Sequence, residues 1–228
     1  MHLDVSIEHN RRAFLRHSVA AGIVLSTIGV SASSCAKEKE EKETTPNEDL
    51  MREHGLLDRL LLVYEQNLKK DFNIKYVQSA AKIIHDFIEN YHEKLEEEFI
   101  FPILEKKKET ANLVATLKTQ HQIGRKITDR ILSRSGSLSS QEKTSLEQDI
   151  SAFISMYRAH ASREDTILFP SFKDAISDHR YKELGELFEE REHKLFGEDG
   201  FKTVLSQVEA LEVDTGISNL DIYTARPL

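Results

Sequence analysis

The sequence holds one cysteine, Cys35, among 228 residues, and no tryptophan. A single thiol excludes a disulfide framework. Its place ahead of the globular part excludes thiolate metal sites and a cysteine nucleophile within the fold. Nine glycines and four prolines are few, and this scarcity suits a helical chain. A basic footprint for nucleic acid is missing too, because the net charge is −8. The acidity favours solubility and names no partner. Hydrophobic residues make up 39% and charged residues 31%, enough for one domain with a real core and appendages.

The first fifty residues read as an address. Arg11 and Arg12, followed by Phe14 and Leu15, precede an uncharged stretch from Ser18 to Ser34. That stretch is too short and too rich in small residues for a comfortable membrane span. A basic region before an apolar one reads as an export signal over residues 1–35, and the arginine pair resembles a twin-arginine signal. Cys35 stands where a lipoprotein cleavage site would put it, and it equally fits an incidental cysteine beside a serine-rich ordinary site. Residues 36–49 are charged and of low complexity, so they are expected to form an unstructured tether.

From Leu50 onward the pattern is helical. Leu50, His54, Leu57, Leu61, Tyr64 and Leu68 step by three and four, which puts them on one helix face. Phe72-Asn73 is a break. Ala81, Ile84, Ile88, His92, Leu95, Phe99 and Ile103 form a second stripe, with Pro102 near its end. Leu113, Leu117, His121, Gly124, Ile127 and Ile131 form a third, closed by a turn at Ser135-Gly136-Ser137. Ser139 and Glu142 have capping-box spacing and open the fourth helix. Its stripe is Leu146, Ile150, Phe153, Tyr157, His160, Glu164 and Ile167. The expected architecture is all-α: an up-down-up-down four-helix bundle over residues 50–177. A C-terminal helical extension over 178–228 is expected to pack on it, as two shorter helices parted near Gly197 and Gly200.

His54, His92, His121 and His160 each fall where a stripe calls for an apolar residue, one per helix. A lone histidine on such a face is ordinarily a hydrogen-bonded core residue. Four together are costly to bury unless a shared ion gives each lone pair a partner. Glu96 follows His92 by four residues, and Glu164 follows His160 by four, so each pair lies on one face about 6 Å apart along the axis. A carboxylate has two oxygens and can bridge two ions. The bland alternative is a solvated helix residue, and Leu95 competes with Glu96 for the inward position. An internal repeat supports the constellation, since His92-x3-Glu96-x4-Phe101-Pro102 matches His160-x3-Glu164-x4-Phe169-Pro170. The two helical hairpins thus read as copies around a pseudo-two-fold axis, with two metal ions as their natural content. Imidazole and carboxylate without sulfur suit iron, manganese or zinc.

At these residues the sequence resembles the hemerythrin-like, HHE cation-binding family, bacterial branch. The resemblance rests on His54 in R-E-H-G, on His92 and Glu96 in Y-H-E-K-L-E-E-E-F-I-F-P, on His121 in Q-H-Q, and on His160 and Glu164 in A-H-A-S-R-E-D-T-I-L-F-P. It implies a non-haem di-iron site in which Glu96 and Glu164 bridge and the four histidines are terminal ligands. Oxygen-carrying members have a second histidine four residues on in the third helix. Arg125 stands there, which puts simple oxygen carriage in doubt, and Glu93 is the candidate for the missing ligand.

Three function classes follow for such a site. One is an exported envelope protein that binds or senses iron, dioxygen, nitric oxide or peroxide. Another is a di-iron peroxidase or ferroxidase, and the third is a metal-stabilised structural bundle. Leu57, Leu61, Phe99 and Ile167 are candidates to wall a dry ligand pocket. A ferritin-like arrangement is the alternative site, through Glu89 with His92 and Glu190 with His193.

Overall fold

The computed structural model describes residues 44–70 and 72–225. The expected export signal, with Arg11, Arg12 and Cys35, and most of the expected tether lie outside the described residues.

Helix α1 spans Pro46–Lys69. It begins four residues before the expected start at Leu50, because the run Thr-Thr-Pro-Asn-Glu-Asp is itself a helix start. Thr45 caps the backbone N–H of Glu48, and Glu48 reaches back to Thr45, a reciprocal capping box. Pro46 occupies the first turn, where its missing N–H costs nothing. The described end of the stretch that read as a tether, from Thr45 to Asp49, is therefore a helix cap and first turn.

Helix α2 runs over residues 74–104, with Asn73 as its N-cap. It is α-helical over Ile74–Ile83, widens into π-helical geometry over Ile84–His92, and widens again over Glu96–Ile100. Helix α3 spans Ala111–Leu132. Helix α4 runs over residues 140–173, with a capping box at Ser139 and Glu142 and a π-helical turn over Glu164–Leu168. The two short π turns sit at equivalent places in α2 and α4, just ahead of Pro102 and Pro170. A proline inside a helix lacks an N–H and clashes with the carbonyl four residues back. A wider turn relieves both problems, and such turns recur at functional sites.

Neighbouring helices pack as α1 on α2, α2 on α3, α3 on α4 and α4 on α1, which closes the four-helix bundle. The core is continuous, with Tyr64, Phe87, Tyr91, Phe101, Phe153, Tyr157 and Phe169 all buried. Helices α5 (Asp178–Phe196) and α6 (Gly200–Thr215) form the extension. They cover α1 and α2, so α1 buries a second face through Leu56, Leu60 and Val63. Arg59 fixes α6 to α1 by two hydrogen bonds to Glu212, at 2.8 and 2.5 Å.

One expected core position is corrected by the π turn in α4. Ile167 was in register with the stripe but is 48% exposed, while Leu168 and Phe169 are buried. The extra residue accommodated in the wider turn rotates the following side chains out of phase with a uniform helix.

Candidate metal centre

The four stripe histidines and both repeat glutamates meet at the middle of the bundle, and all six are buried. They form two overlapping groups whose ligand atoms converge: His54, His92 and Glu96 on one side, and His121, His160, Glu96 and Glu164 on the other. The Nε2 atoms of His54 and His92 are 3.1 Å apart, and those of His121 and His160 are 3.2 Å apart. Glu96 divides between the halves, with Oε1 3.6 Å from His92 Nε2 and Oε2 3.5 Å from His121 Nε2. Glu164 Oε2 likewise lies 3.0 Å from His160 Nε2 and 3.3 Å from His54 Nε2.

Each imidazole turns its other nitrogen outward to an acceptor. His54 Nδ1 meets Asp165 at 2.7 Å, His92 Nδ1 meets Glu53 at 2.6 Å, His121 Nδ1 meets Glu97 at 3.1 Å, and His160 Nδ1 meets Gln120 at 2.9 Å. An acceptor at Nδ1 holds a ring proton there, so the neutral form of each ring offers its Nε2 lone pair inward. The acceptors obey the pseudo-two-fold. The residue before the first histidine of each hairpin (Glu53, Gln120) holds the second histidine of the same hairpin. The residue after each repeat glutamate (Glu97, Asp165) holds the first histidine of the other hairpin.

The inward-facing set is made of acceptors. All four carboxylate oxygens of Glu96 and Glu164 are buried and accept no hydrogen bond. Buried acceptors without donors are costly, and a divalent cation satisfies them all at once. This donor set of nitrogen and oxygen fits a transition metal.

The titration behaviour agrees. Burial opposes protonation of His54, but the Asp165 and Glu164 carboxylates outweigh it and push this histidine up to about 9. Burial, then the His54 charge, drives His92 well below its ordinary range, and burial lowers His121 to about 4. Burial and the Glu164 charge raise Glu96 well above the usual carboxylate range, whereas His160 and His54 overcome burial to hold Glu164 below it. Chemically similar groups shifted in opposite directions are competing for too little positive charge.

Glu93, the candidate for the missing fifth histidine, does not join the Nε2 face. Its Oε1 accepts the Tyr157 hydroxyl at 2.7 Å, and its Oε2 lies 2.6 Å from Arg125 and 3.8 Å from the outer nitrogen of His121. Arg125 also bonds Glu97 at 2.7 Å. The arginine that replaces a histidine thus pairs with the carboxylate once expected to replace it. The ferritin-like alternative is not assembled: Glu89 accepts from Thr128 at 2.6 Å, while Glu190 and His193 are exposed. The outer acceptors were not singled out from the sequence, although each is adjacent to a ligand candidate.

Comparison with known proteins agrees with this geometry. The family model described as hemerythrin HHE cation binding domain matches residues 45–172. The chain belongs to the hemerythrin HHE cation-binding family. Uncharacterized proteins of Mycobacterium bovis and Mycobacterium tuberculosis are 36% identical to it over 230 residues, covering 94% of this chain and 90% of their own length. No solved structure matches the chain significantly. The match to the HHE model spans all four bundle helices and ends before α5, so the extension lies outside the family's core domain.

A pocket of about 300 Å³ reaches this HHE centre between α1 and α4. His54, Leu57, Leu61, Tyr157 and Asp165 line it. Two of the four expected pocket residues, Leu57 and Leu61, are therefore in place. Phe99 instead packs on Phe188 under α5, with ring centroids 5.9 Å apart.

Proposed function

We propose that this chain is a non-haem di-iron protein of the cell envelope that binds dioxygen or a related small ligand such as nitric oxide or peroxide. The observation that carries the reading is the split of Glu96, one oxygen toward each histidine pair. His54 and His92 would hold one ion, His121 and His160 the other, with Glu96 and Glu164 between them. Iron would supply reversible redox chemistry and an affinity for small diatomic ligands. The chain's own residues do the rest. Asp165, Glu53, Glu97 and Gln120 orient the rings, and Tyr157, whose hydroxyl is bonded to Glu93, forms part of the wall of the entry pocket. The pocket favours a ligand-handling role over a purely structural metal, because a structural site is normally closed. It also keeps a peroxidase or ferroxidase reading in view, which turnover with peroxide or Fe(II) would reveal.

Envelope location rests on the sequence alone, on the resemblance of the Arg11-Arg12 stretch to an export signal. No helix among the described residues is long and apolar enough to cross a membrane. The deciding experiment is metal analysis with absorption spectroscopy. About two irons per chain, with new near-ultraviolet bands when the reduced protein meets air, support the proposal. Zinc or no metal in the purified protein overturns it.

A further inference from the structure

Outside the imidazole centre, three acidic side chains from two helices converge. Asp49 and Glu53 lie one turn apart on α1, and Glu192 comes from α5; one carboxylate oxygen of each lies within 4.8 Å of the others. All three are buried, at 7%, 0% and 9% exposure. Three of the six oxygens have partners outside the cluster. Glu53 Oε2 receives His92, and Glu192 Oε1 accepts the backbone N–H of Phe201 at 2.8 Å, which ties the start of α6 to the cluster. Asp49 Oδ1 pairs with Arg52 at 3.2 Å. Glu53 Oε1, by contrast, is fully buried and has no hydrogen-bond partner. The Tyr91 hydroxyl donates to the Phe188 carbonyl at 3.4 Å and also lies beside the Glu53 carboxyl.

Three acidic groups crowd against one guanidinium here, in a place water barely reaches. Ion pairing by Arg52 covers one oxygen at the edge and leaves the interior one unmatched. We propose that Asp49, Glu53 and Glu192 form a further cation site, for a hard divalent ion held through oxygen. An all-oxygen donor set favours hard ions over the metals that prefer imidazole, and it suits Ca²⁺ or Mg²⁺. Slight exposure at Asp49 and Glu192 gives waters room to complete the shell. Occupancy would clamp the C-terminal extension onto α1, because the ligands come from both. It would also act on the imidazole centre through Glu53, which holds His92. The burial of Asp49 supports the site, since burial first, then the charges of Glu53 and Glu192, push this carboxyl up to about 7.

The test uses the full chain already loaded at its imidazole centre, titrated calorimetrically with Ca²⁺ and separately with Mg²⁺. One equivalent of at least one ion should bind and raise Tm. Glu192→Gln and Asp49→Asn should each weaken that binding at least ten-fold while transition-metal content stays at the wild-type level. Helix content by circular dichroism confirms that each variant folds. Absence of stoichiometric binding of both ions to the wild type overturns the proposal, as does unchanged binding in both folded variants. The transition-metal content reports separately on the imidazole centre, so its failure is not confused with failure here.

Discussion

Glu53 Oε2 lies 2.6 Å from Nδ1 of His92. The equivalent contact in the second hairpin is made by the amide oxygen of Gln120 to His160. The pseudo-symmetric centre is therefore asymmetric in its outer layer, with a carboxylate behind one ring and a neutral amide behind the other. A carboxylate raises the basicity of the imidazole it holds, and losing such a partner typically costs 10–100-fold in metal affinity. Glu53→Ala should weaken metal binding by about that factor, read by chelator competition. Glu53→Gln should cost less, because it copies the arrangement at Gln120.

Removal of a carboxylate proposed to bridge the two ions should do more. Glu164→Ala leaves His160 and His54 without the oxygen they share, so metal content should fall by at least half by elemental analysis. Glu89→Gln keeps a side chain that can bond Thr128 and should retain full metal content. Equal metal loss in both variants would refute the ligand assignment.

Gly124 is held by a close approach. A Cβ added there would sit 2.0 Å from the Tyr157 hydroxyl oxygen. Gly124→Ala must displace that ring and disturb its bond to Glu93. Overpacking of this kind costs about 1–3 kcal/mol. A lower Tm is expected, partly restored in the Gly124→Ala, Tyr157→Phe double variant, because removing the hydroxyl relieves the tightest contact.

Asp49 makes stability depend on pH. Its carboxyl in the folded protein is raised from 3.8 to about 7. A raised carboxyl contributes fully below the unfolded value and loses that contribution as pH rises through the folded one. In chelator-treated buffer, Asp49→Asn should thus melt close to wild type at pH 4 and several degrees higher at pH 8. The difference at pH 8 corresponds to roughly 4 kcal/mol. Identical melting at both pH values would show that the carboxyl is not strained in the folded protein.

The pocket between α1 and α4 makes a kinetic prediction. Ala161 lies on its lining. Ala161→Phe should fill the opening beside His54 and slow nitric oxide binding several-fold in stopped-flow absorption, with metal content unchanged. An unaltered rate would mean that ligands enter elsewhere.

Much of the fold was written locally. Helix periodicity put four histidines on four apolar stripes, the i, i+4 spacing put Glu96 and Glu164 beside two of them, and the repeat ending at Pro102 and Pro170 revealed the two hairpins. Capping residues at Ser139 and glycines at 197 and 200 marked the ends of helices. These features depend only on neighbours in the chain, so the sequence alone determined them. The tertiary structure decided the rest. Which oxygen faces His54 Nδ1 depends on how α4 is rotated and staggered against α1, and no spacing within either helix encodes that. The π turn at Glu164 shifted Ile167 out to solvent by changing the helical phase on which the stripe relied. Glu93 and Arg125 each looked free to act alone. Only the packing of α2 against α3 brought their opposite charges together and gave Glu93 to the guanidinium and to Tyr157, away from the inward-facing lone pairs.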